Sequence, residues 1–143
     1  MSQTALIPAP PLLHMHPLRV YWEDTDAGGV VFYANYLKFF ERARTEWLRA
    51  AGVGQHELRE RTGAIFIVID TRVRYLRPAR LDDALQIAVT RAELGRATLT
   101  VHQHAWRGDE LLCEGNIQIA CVDHTSFRPQ RIPSDVLSRL TPP

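Results

Sequence analysis

The spacing of hydrophobic residues changes once along this chain, from helical in its first half to alternating in its second. Over residues 35–51 apolar side chains recur every three or four positions and leave only a narrow polar stripe. So wide an apolar surface predicts a long helix that other elements surround on several sides. Gly52 is a natural stop for this helix, and residues 55–61 predict a short second one.

After Gly63 apolar and polar residues alternate, which is typical of strands. Four such segments follow one another, at residues 65–75, 85–90, 98–104 and 111–122. The short glycine-containing links between the last three suit tight hairpins and therefore antiparallel pairing. Residues 18–22 predict one more strand before the long helix, and Ser134 is expected to cap a last short helix through residue 140.

These elements add up to an α+β fold with one domain. The economical arrangement is a five-stranded antiparallel sheet wrapped around the long central helix. Residues 1–16 contain several prolines and little periodicity, so we expect a flexible N-terminal arm there, with His14 and His16 in it. Residues 17–143 then form the single domain.

The composition argues against some classes of function but does not identify a particular activity. The 143 residues are 45% hydrophobic and 23% charged, as in an ordinary globular domain. A formal net charge of +1 speaks against nucleic acid as a partner. We see no stretch suited to spanning a bilayer and no secretory pattern at the N-terminus. Because Cys113 and Cys121 share one alternating apolar segment, they predict buried thiols, and we expect a cytoplasmic location.

Two aspartates and two glycines lie between the predicted first strand and the long helix. Asp24 and Asp26 come just before Gly28 and Gly29, and the helix begins near Asn35. This order places a carboxylate beside the free backbone N–H groups of a helix start, which attract negative charge. A carboxylate facing such an oxyanion site is suited to splitting an acyl bond. Considered alone, however, an aspartate before glycine more often just caps a turn.

The same stretch carries a family signature. Residues 24–36 read Asp-Thr-Asp-Ala-Gly-Gly-Val-Val-Phe-Tyr-Ala-Asn-Tyr, and residues 40–45 read Phe-Glu-Arg-Ala-Arg-Thr. Both resemble the hot-dog acyl-CoA thioesterases, most closely the subfamily related to 4-hydroxybenzoyl-CoA thioesterase and, within it, the bacterial thioesterases associated with the Tol–Pal system. The resemblance extends more loosely through residues 75–83 and covers nearly all of residues 18–133.

The resemblance implies a hot-dog fold and hydrolysis of acyl-CoA thioesters, with no cofactor and no metal. It also implies a homo-oligomer, a dimer or a tetramer, with active sites at the dimer interface. Contact with lipid-synthesis enzymes or the inner membrane is a further expectation for relatives of this kind.

The resemblance also assigns roles to single residues. Asp26 corresponds to the catalytic aspartate, as nucleophile or general base, and the backbone amide of Tyr33 to the group that polarises the thioester carbonyl. Many Tol–Pal-associated relatives carry His at the position of Tyr33, whereas the hydroxybenzoyl branch carries an aromatic residue. Gly28 and Gly29 let the substrate approach closely. Arg96 lies in a link where relatives place basic residues near CoA phosphates.

Neighbouring polar residues receive supporting roles. We expect Asp24 to organise the loop through hydrogen bonds to backbone amides, and Asn35 to cap the long helix. Glu41, Arg42 and Arg44 match the family pattern, and we expect them to form ion pairs at the surface or at an interface.

Other enzyme classes fit the sequence less well. Phosphatases with an Asp-x-Asp pair need strands that alternate with helices, and an EF-hand counted from Asp24 needs Glu where Asn35 stands. His102 and His104 share a polar strand face and are too few for a structural zinc site. Hot-dog hydratases and dehydratases typically use a histidine near the central helix, and residues 18–54 contain none.

One alternative outside catalysis stays open. A hot-dog protein of this kind would then act as a binding or scaffold protein that docks to lipid-synthesis enzymes or the inner membrane. An Asp26→Asn variant that kept its cellular effect would favour this alternative over hydrolysis.

Overall fold

The alternating segments form one sheet. The computed structural model describes residues 12–142, and its five strands pair antiparallel in the order β1-β3-β4-β5-β2. The strands are β1 His14–Arg19, β2 Ala64–Tyr75, β3 Ala84–Leu94, β4 Thr98–Arg107 and β5 Glu110–Asp123. The predicted fold class and the five-stranded antiparallel sheet are confirmed, and the two short glycine-containing links do join paired strands.

Within residues 12–142, three α-helices accompany the sheet, and the longest has a wide buried face. They are α1 Asn35–Ala50, α2 Gln55–Thr62 and α3 Ser134–Leu140. Phe39, Phe40 and Ala43 of α1 are fully buried, as the wide apolar surface predicted. Gly115 on β5 makes room for α1, because a Cβ there would lie 2.8 Å from the ring of Phe40.

The first strand begins earlier than predicted. β1 covers His14–Arg19 instead of residues 18–22. His14 and His16 therefore lie in a strand, so the predicted arm boundary at residue 16 is wrong, and residues 1–11 lie outside the described part of the chain. Half-buried and exposed residues alternate along β1, a pattern that two histidines and a proline disguise in the sequence. The proline is tolerated because β1 is an edge strand.

The start of α3 also differs from the prediction. Its N-cap is Pro133, with no capping hydrogen bond from a side chain, and Ser134 is already the first helical residue. The predicted cap role of Ser134 is therefore wrong, although the helix itself is confirmed. Within residues 12–142, none of the helices combines the length and the apolar character that crossing a membrane requires.

A polar contact is buried between α1 and the sheet. Arg44 donates from Nη1 to Oε1 of Gln103 at 3.0 Å, and Gln103 donates from Nε2 to the carbonyl of Phe40 at 2.9 Å. Both side chains are buried, and burial lowers the pKa of Arg44 below its usual range. Arg44 thus bonds a neutral amide inside the domain, which differs from the ion pair that the sequence suggested.

Candidate active site

The segment between β1 and α1 forms a turn that is tied to the sheet. The amide of Asp26 donates to the carbonyl of Val30 at 2.9 Å, and Thr25 pairs with Val31. The amide of Val31 then donates to the carbonyl of Ala79, in the link between β2 and β3, at 2.8 Å. The turn therefore has a defined position on the sheet before α1 begins.

Asp24 holds this turn from inside. Its carboxylate is buried, with Oδ2 accepting from the amide of Tyr21 and Oδ1 from Nδ2 of Asn35, both at 2.8 Å. Its carbonyl accepts from the amide of Phe32 at 2.9 Å. The predicted loop-organising role agrees with these contacts. The predicted cap role of Asn35 is wrong, because its side chain bonds Asp24, and the N-cap position belongs to Ala34.

Asp26 lies exposed on the same turn, with its two oxygens in different surroundings. Oδ1 accepts from the amide of Gly28 at 2.8 Å, so Asp26 does cap the turn. Oδ2 accepts no hydrogen bond from any residue in the range 12–142. The carboxylate is thus anchored through one oxygen and presents the other to solvent, where an incoming substrate or water can reach it.

The two glycines serve the turn in different ways. A Cβ at Gly28 would lie 3.2 Å from Oδ1 of Asp26, so a side chain there would press on the carboxylate. Gly29 has a φ of 80°, which L-residues with side chains rarely adopt, and a Cβ there would meet open space. Gly28 therefore keeps room beside Asp26, while Gly29 gives the backbone its direction.

The start of α1 presents unpaired amides beside this turn. Within the described range, neither the amide of Tyr33 nor that of Ala34 has a hydrogen-bond acceptor. The carbonyl of Phe32, which shares a peptide group with the Tyr33 N–H, accepts from the amide of Asn35 at 2.8 Å. Free N–H groups at a helix start carry partial positive charge and suit a developing oxyanion.

An aromatic cluster borders these amides. The ring of Tyr33 lies 4.8 Å from that of Phe32 and 6.4 Å from that of Tyr75, and Tyr75 lies 5.6 Å from Tyr36. The hydroxyl of Tyr36 accepts from the amide of Ala79 at 3.2 Å. The sequence pattern alone predicts no site role for Tyr36 or Tyr75. In the sequence they are only a tyrosine near a helix start and another at a strand end, and tyrosines that simply pack in a core occupy such positions too.

Arg96 does not join the other predicted site residues within one chain. The turn contacts Arg80, just before β3, through a bridge from Val30. Arg96 is exposed in the link after β3. β3 has 11 residues, which corresponds to roughly 35 Å of extended strand. A role for Arg96 beside Asp26 therefore requires a second chain.

The fold is shared with known proteins. Residues 20–140 match the family model described as the thioesterase-like superfamily. The chain belongs to this superfamily. An acyl-CoA thioesterase, YbgC, from Haemophilus influenzae is 42% identical over 120 residues, which are 84% of this chain and 88% of that protein. An acyl-CoA thioester hydrolase, YbgC, from Escherichia coli is 40% identical over 123 residues, 85% of this chain and 91% of the relative.

A solved structure agrees with these relatives. A probable thioesterase from Bartonella henselae superposes with a TM-score of 0.78 at 34% identity, covering 84% of this chain and 98% of that one. The predicted family, the hot-dog thioesterase fold and the thioester hydrolase class are thereby confirmed.

A large opening in this thioesterase fold lies away from the turn. A cavity of about 800 Å³ is lined mainly by polar and apolar residues of the sheet, among them Arg72, Arg74 and His102, and by neither Asp26 nor Tyr33. His102 contacts carboxylate and amide side chains there, as its place on a polar strand face predicted. Cavity size therefore does not identify the candidate site, whereas the chemistry of the turn does.

Proposed function

We propose that this protein hydrolyses acyl-CoA thioesters to a free acid and CoA at the turn that carries Asp26. The observation behind the proposal is a carboxylate with one free oxygen in the same loop as the two unpaired amides of Tyr33 and Ala34. Thioester hydrolysis needs an attacking group and donors for the charge that develops on the carbonyl oxygen. The relatives named acyl-CoA thioesterase and thioester hydrolase, at 40% and 42% identity, support this activity.

Asp26 can act by two routes that the turn accommodates equally. As a nucleophile, its free oxygen attacks the thioester carbon, the C–S bond breaks, CoA leaves as thiolate, and water hydrolyses the resulting anhydride. As a general base, it takes a proton from the water that attacks the carbon instead. In both routes the amide of Tyr33 donates to the carbonyl oxygen, while Gly28 and Gly29 let the thioester approach. Water is the only co-reactant, so the reaction needs no cofactor.

The active enzyme is a homo-oligomer, a dimer or a tetramer. β2 is an edge strand of the sheet, and its Val68 and Ile69 are 50% and 51% exposed. An exposed apolar edge strand favours pairing with another chain. Pairing also offers a route by which Arg96 of one chain could serve the CoA phosphates of a site in the other.

We place the enzyme in the cytoplasm, in association with the Tol–Pal system. Cys113 and Cys121 are buried free thiols, which suits a reducing compartment. The Tol–Pal association rests on the resemblance of residues 24–36 to thioesterases of that group.

A scaffold role is the second candidate, and one surface feature favours it. Trp22 is 79% exposed beside the turn. Exposed aromatic residues of this kind are enriched in protein interfaces. If this role dominates, Trp22→Ala should abolish the cellular effect of the protein, while Asp26→Ala should leave it intact.

The direct test is release of CoA thiol from a panel of short, long and aromatic acyl-CoAs. Wild-type protein should hydrolyse at least one class, and Asp26→Ala should lower kcat at least about 100-fold, the range of a lost acid–base or nucleophilic group. Full activity in Asp26→Ala would remove Asp26 from its proposed role. The panel also determines the preferred acyl group.

A further inference from the structure

Tyr75 reaches from the end of β2 to the turn in front of α1. Its hydroxyl lies 2.8 Å from the carbonyl oxygen of Tyr33, a residue 42 positions earlier in the chain. The ring of Tyr75 also contacts the rings of Tyr33 and Tyr36 edge-on, with centroids 6.4 and 5.6 Å apart. Two ring contacts therefore hold the hydroxyl in place against the carbonyl.

The direction of this hydrogen bond is unambiguous. A carbonyl oxygen has no proton, so the hydroxyl of Tyr75 donates. Burial raises the pKa of Tyr75 above its usual value, and Cys113 and Tyr33 add to the effect. Tyr75 therefore keeps its proton throughout the neutral pH range and can always donate.

This bond acts on a peptide group whose N–H has no acceptor among residues 12–142. The carbonyl of Tyr33 and the N–H of Ala34 belong to one peptide group, so a hydrogen bond to the oxygen fixes its plane and polarises the N–H. The preceding peptide group is held in the same way, by the amide of Asn35 on the carbonyl of Phe32. Two consecutive peptide groups thus have tethered oxygens, while their N–H groups stay unpaired within the described residues.

We infer that Tyr75 is a positioning residue for thioester hydrolysis, and that it holds the Ala34 amide as a second donor beside that of Tyr33. The inference rests on the proposed function, because it assumes that the thioester oxygen meets these amides. Donors whose direction is set before charge develops stabilise the transition state more than the bound substrate. Tyr75 therefore acts on kcat without touching the substrate.

The test removes a single oxygen atom. Tyr75→Phe keeps the ring and its contacts with Tyr33 and Tyr36 but loses the hydrogen bond to the Tyr33 carbonyl. Tyr21→Phe is the matched control, because its side chain is 63% exposed and its hydroxyl makes no hydrogen bond to residues 12–142. The kcat and KM of both variants are measured on the best acyl-CoA of the panel, together with the melting temperature.

The expected result is a selective loss of turnover. Tyr75→Phe should lower kcat about three- to tenfold, the effect of one lost hydrogen bond, with KM changed less than about twofold. Its melting temperature should stay close to that of the wild type, because Tyr75 is 46% exposed. Tyr21→Phe should match the wild type in kcat, KM and melting temperature.

Two results would overturn the inference. A kcat for Tyr75→Phe equal to that of Tyr21→Phe would show that the hydroxyl has no role in turnover. A rise in KM with unchanged kcat would make Tyr75 a binding residue instead. Asp26→Ala tests the proposed function separately, since loss of activity there with full turnover in Tyr75→Phe would reject only the role of Tyr75. Reduced kcat in Tyr75→Phe with full activity in Asp26→Ala would reject only the role of Asp26.

Discussion

Two turns of this molecule contain the same ingredients and differ in what surrounds them. One carries Asp26 and Gly29 before α1, and the other carries Gly108 and Asp109 between β4 and β5. Both glycines have positive φ values, 80° and 62°, with no atom near a built Cβ, and both aspartates are exposed. Composition alone would therefore assign both turns the same function.

Their connections distinguish them. The second turn joins two strands directly, so the ladder pairs the backbone groups on both sides of it, and Arg107 reinforces it through Glu110. The first leads into a helix, whose opening amides have no ladder to bond. The buried Asp24, the carbonyl of Ala79 and the hydroxyl of Tyr75 hold that opening. A chemically useful turn is thus one whose backbone is held firmly and left partly unpaired.

The largest expected difference between the turns is in activity. Asp26→Asn preserves size and can still accept from the Gly28 amide, but it cannot attack or take a proton effectively. We expect kcat to fall at least about 100-fold. Asp109→Asn should leave kcat within about twofold, and thiol release from acyl-CoA measures both. Equal kcat values in the two variants would show that the two turns do not differ in function.

The buried carboxylate of Asp24 supports the first turn, so changing it should lower the free energy of unfolding. Asp24→Asn replaces one accepting oxygen with an amide that donates, opposite either the Tyr21 amide or Asn35 Nδ2. Because the site is buried, we expect a loss of about 1.5–3 kcal/mol in the free energy of unfolding. Glu23→Gln, at an exposed neighbouring position, should change it by less than about 0.5 kcal/mol. Urea unfolding gives both values, and an unaltered midpoint for Asp24→Asn would contradict the role of this carboxylate.

The glycines separate stability from activity. Gly29→Ala and Gly108→Ala should each lose about 1–2 kcal/mol of unfolding free energy, because both require a left-handed backbone. Only Gly29→Ala should also lower kcat, since it shifts the turn that carries Asp26. Denaturant titration and acyl-CoA turnover are compared in the same two variants. A matched fall of kcat in Gly108→Ala would mean that turnover follows general stability.

The smallest effect is expected beside the carboxylate itself. Gly28→Ala places a methyl group about 3.2 Å from Oδ1 of Asp26, so the carboxylate must move by a few tenths of an ångström. We expect kcat to fall severalfold, about 0.5–1 kcal/mol in the barrier, with little change in stability. Gly54→Ala is the control, because a Cβ there would meet only the Cβ of Glu57 at 3.9 Å. Wild-type kcat in Gly28→Ala would show that the carboxylate tolerates displacement.

Much of the fold was predictable, and the exceptions have identifiable causes. α1 and the strands after Gly63 follow periodic apolar patterns, which burial against a sheet requires. The start of β1 was not predicted because His14, His16 and Pro17 are not apolar strand formers, although an edge strand accepts them. The prediction for Arg44 was wrong for a similar reason. A charged side chain is expected at a surface or an interface, and the sequence does not show that the neutral amide of Gln103 binds Arg44 inside the domain.

The candidate site was predictable only where its chemistry is local. Asp26, Gly28 and Gly29 lie within one turn, so their spacing alone places a carboxylate beside flexible backbone. Asn35 is a residue type that often caps helices, but its side chain donates to the buried carboxylate of Asp24, 11 positions earlier. No local pattern could foresee that preference, because it depends on how the turn folds back.

The order of apolar, acidic and glycine residues by itself determined the helix, most of the strands and the turn with Asp26, because each depends on neighbours a few positions away. Only the tertiary structure decided which amides at the start of α1 stay unpaired and what steadies them. Tyr75 lies at the end of β2 and Ala79 lies in the link after it. Packing of the sheet on α1 brings both residues to that helix start. Such contacts depend on the whole core, and therefore no short stretch of sequence encodes them.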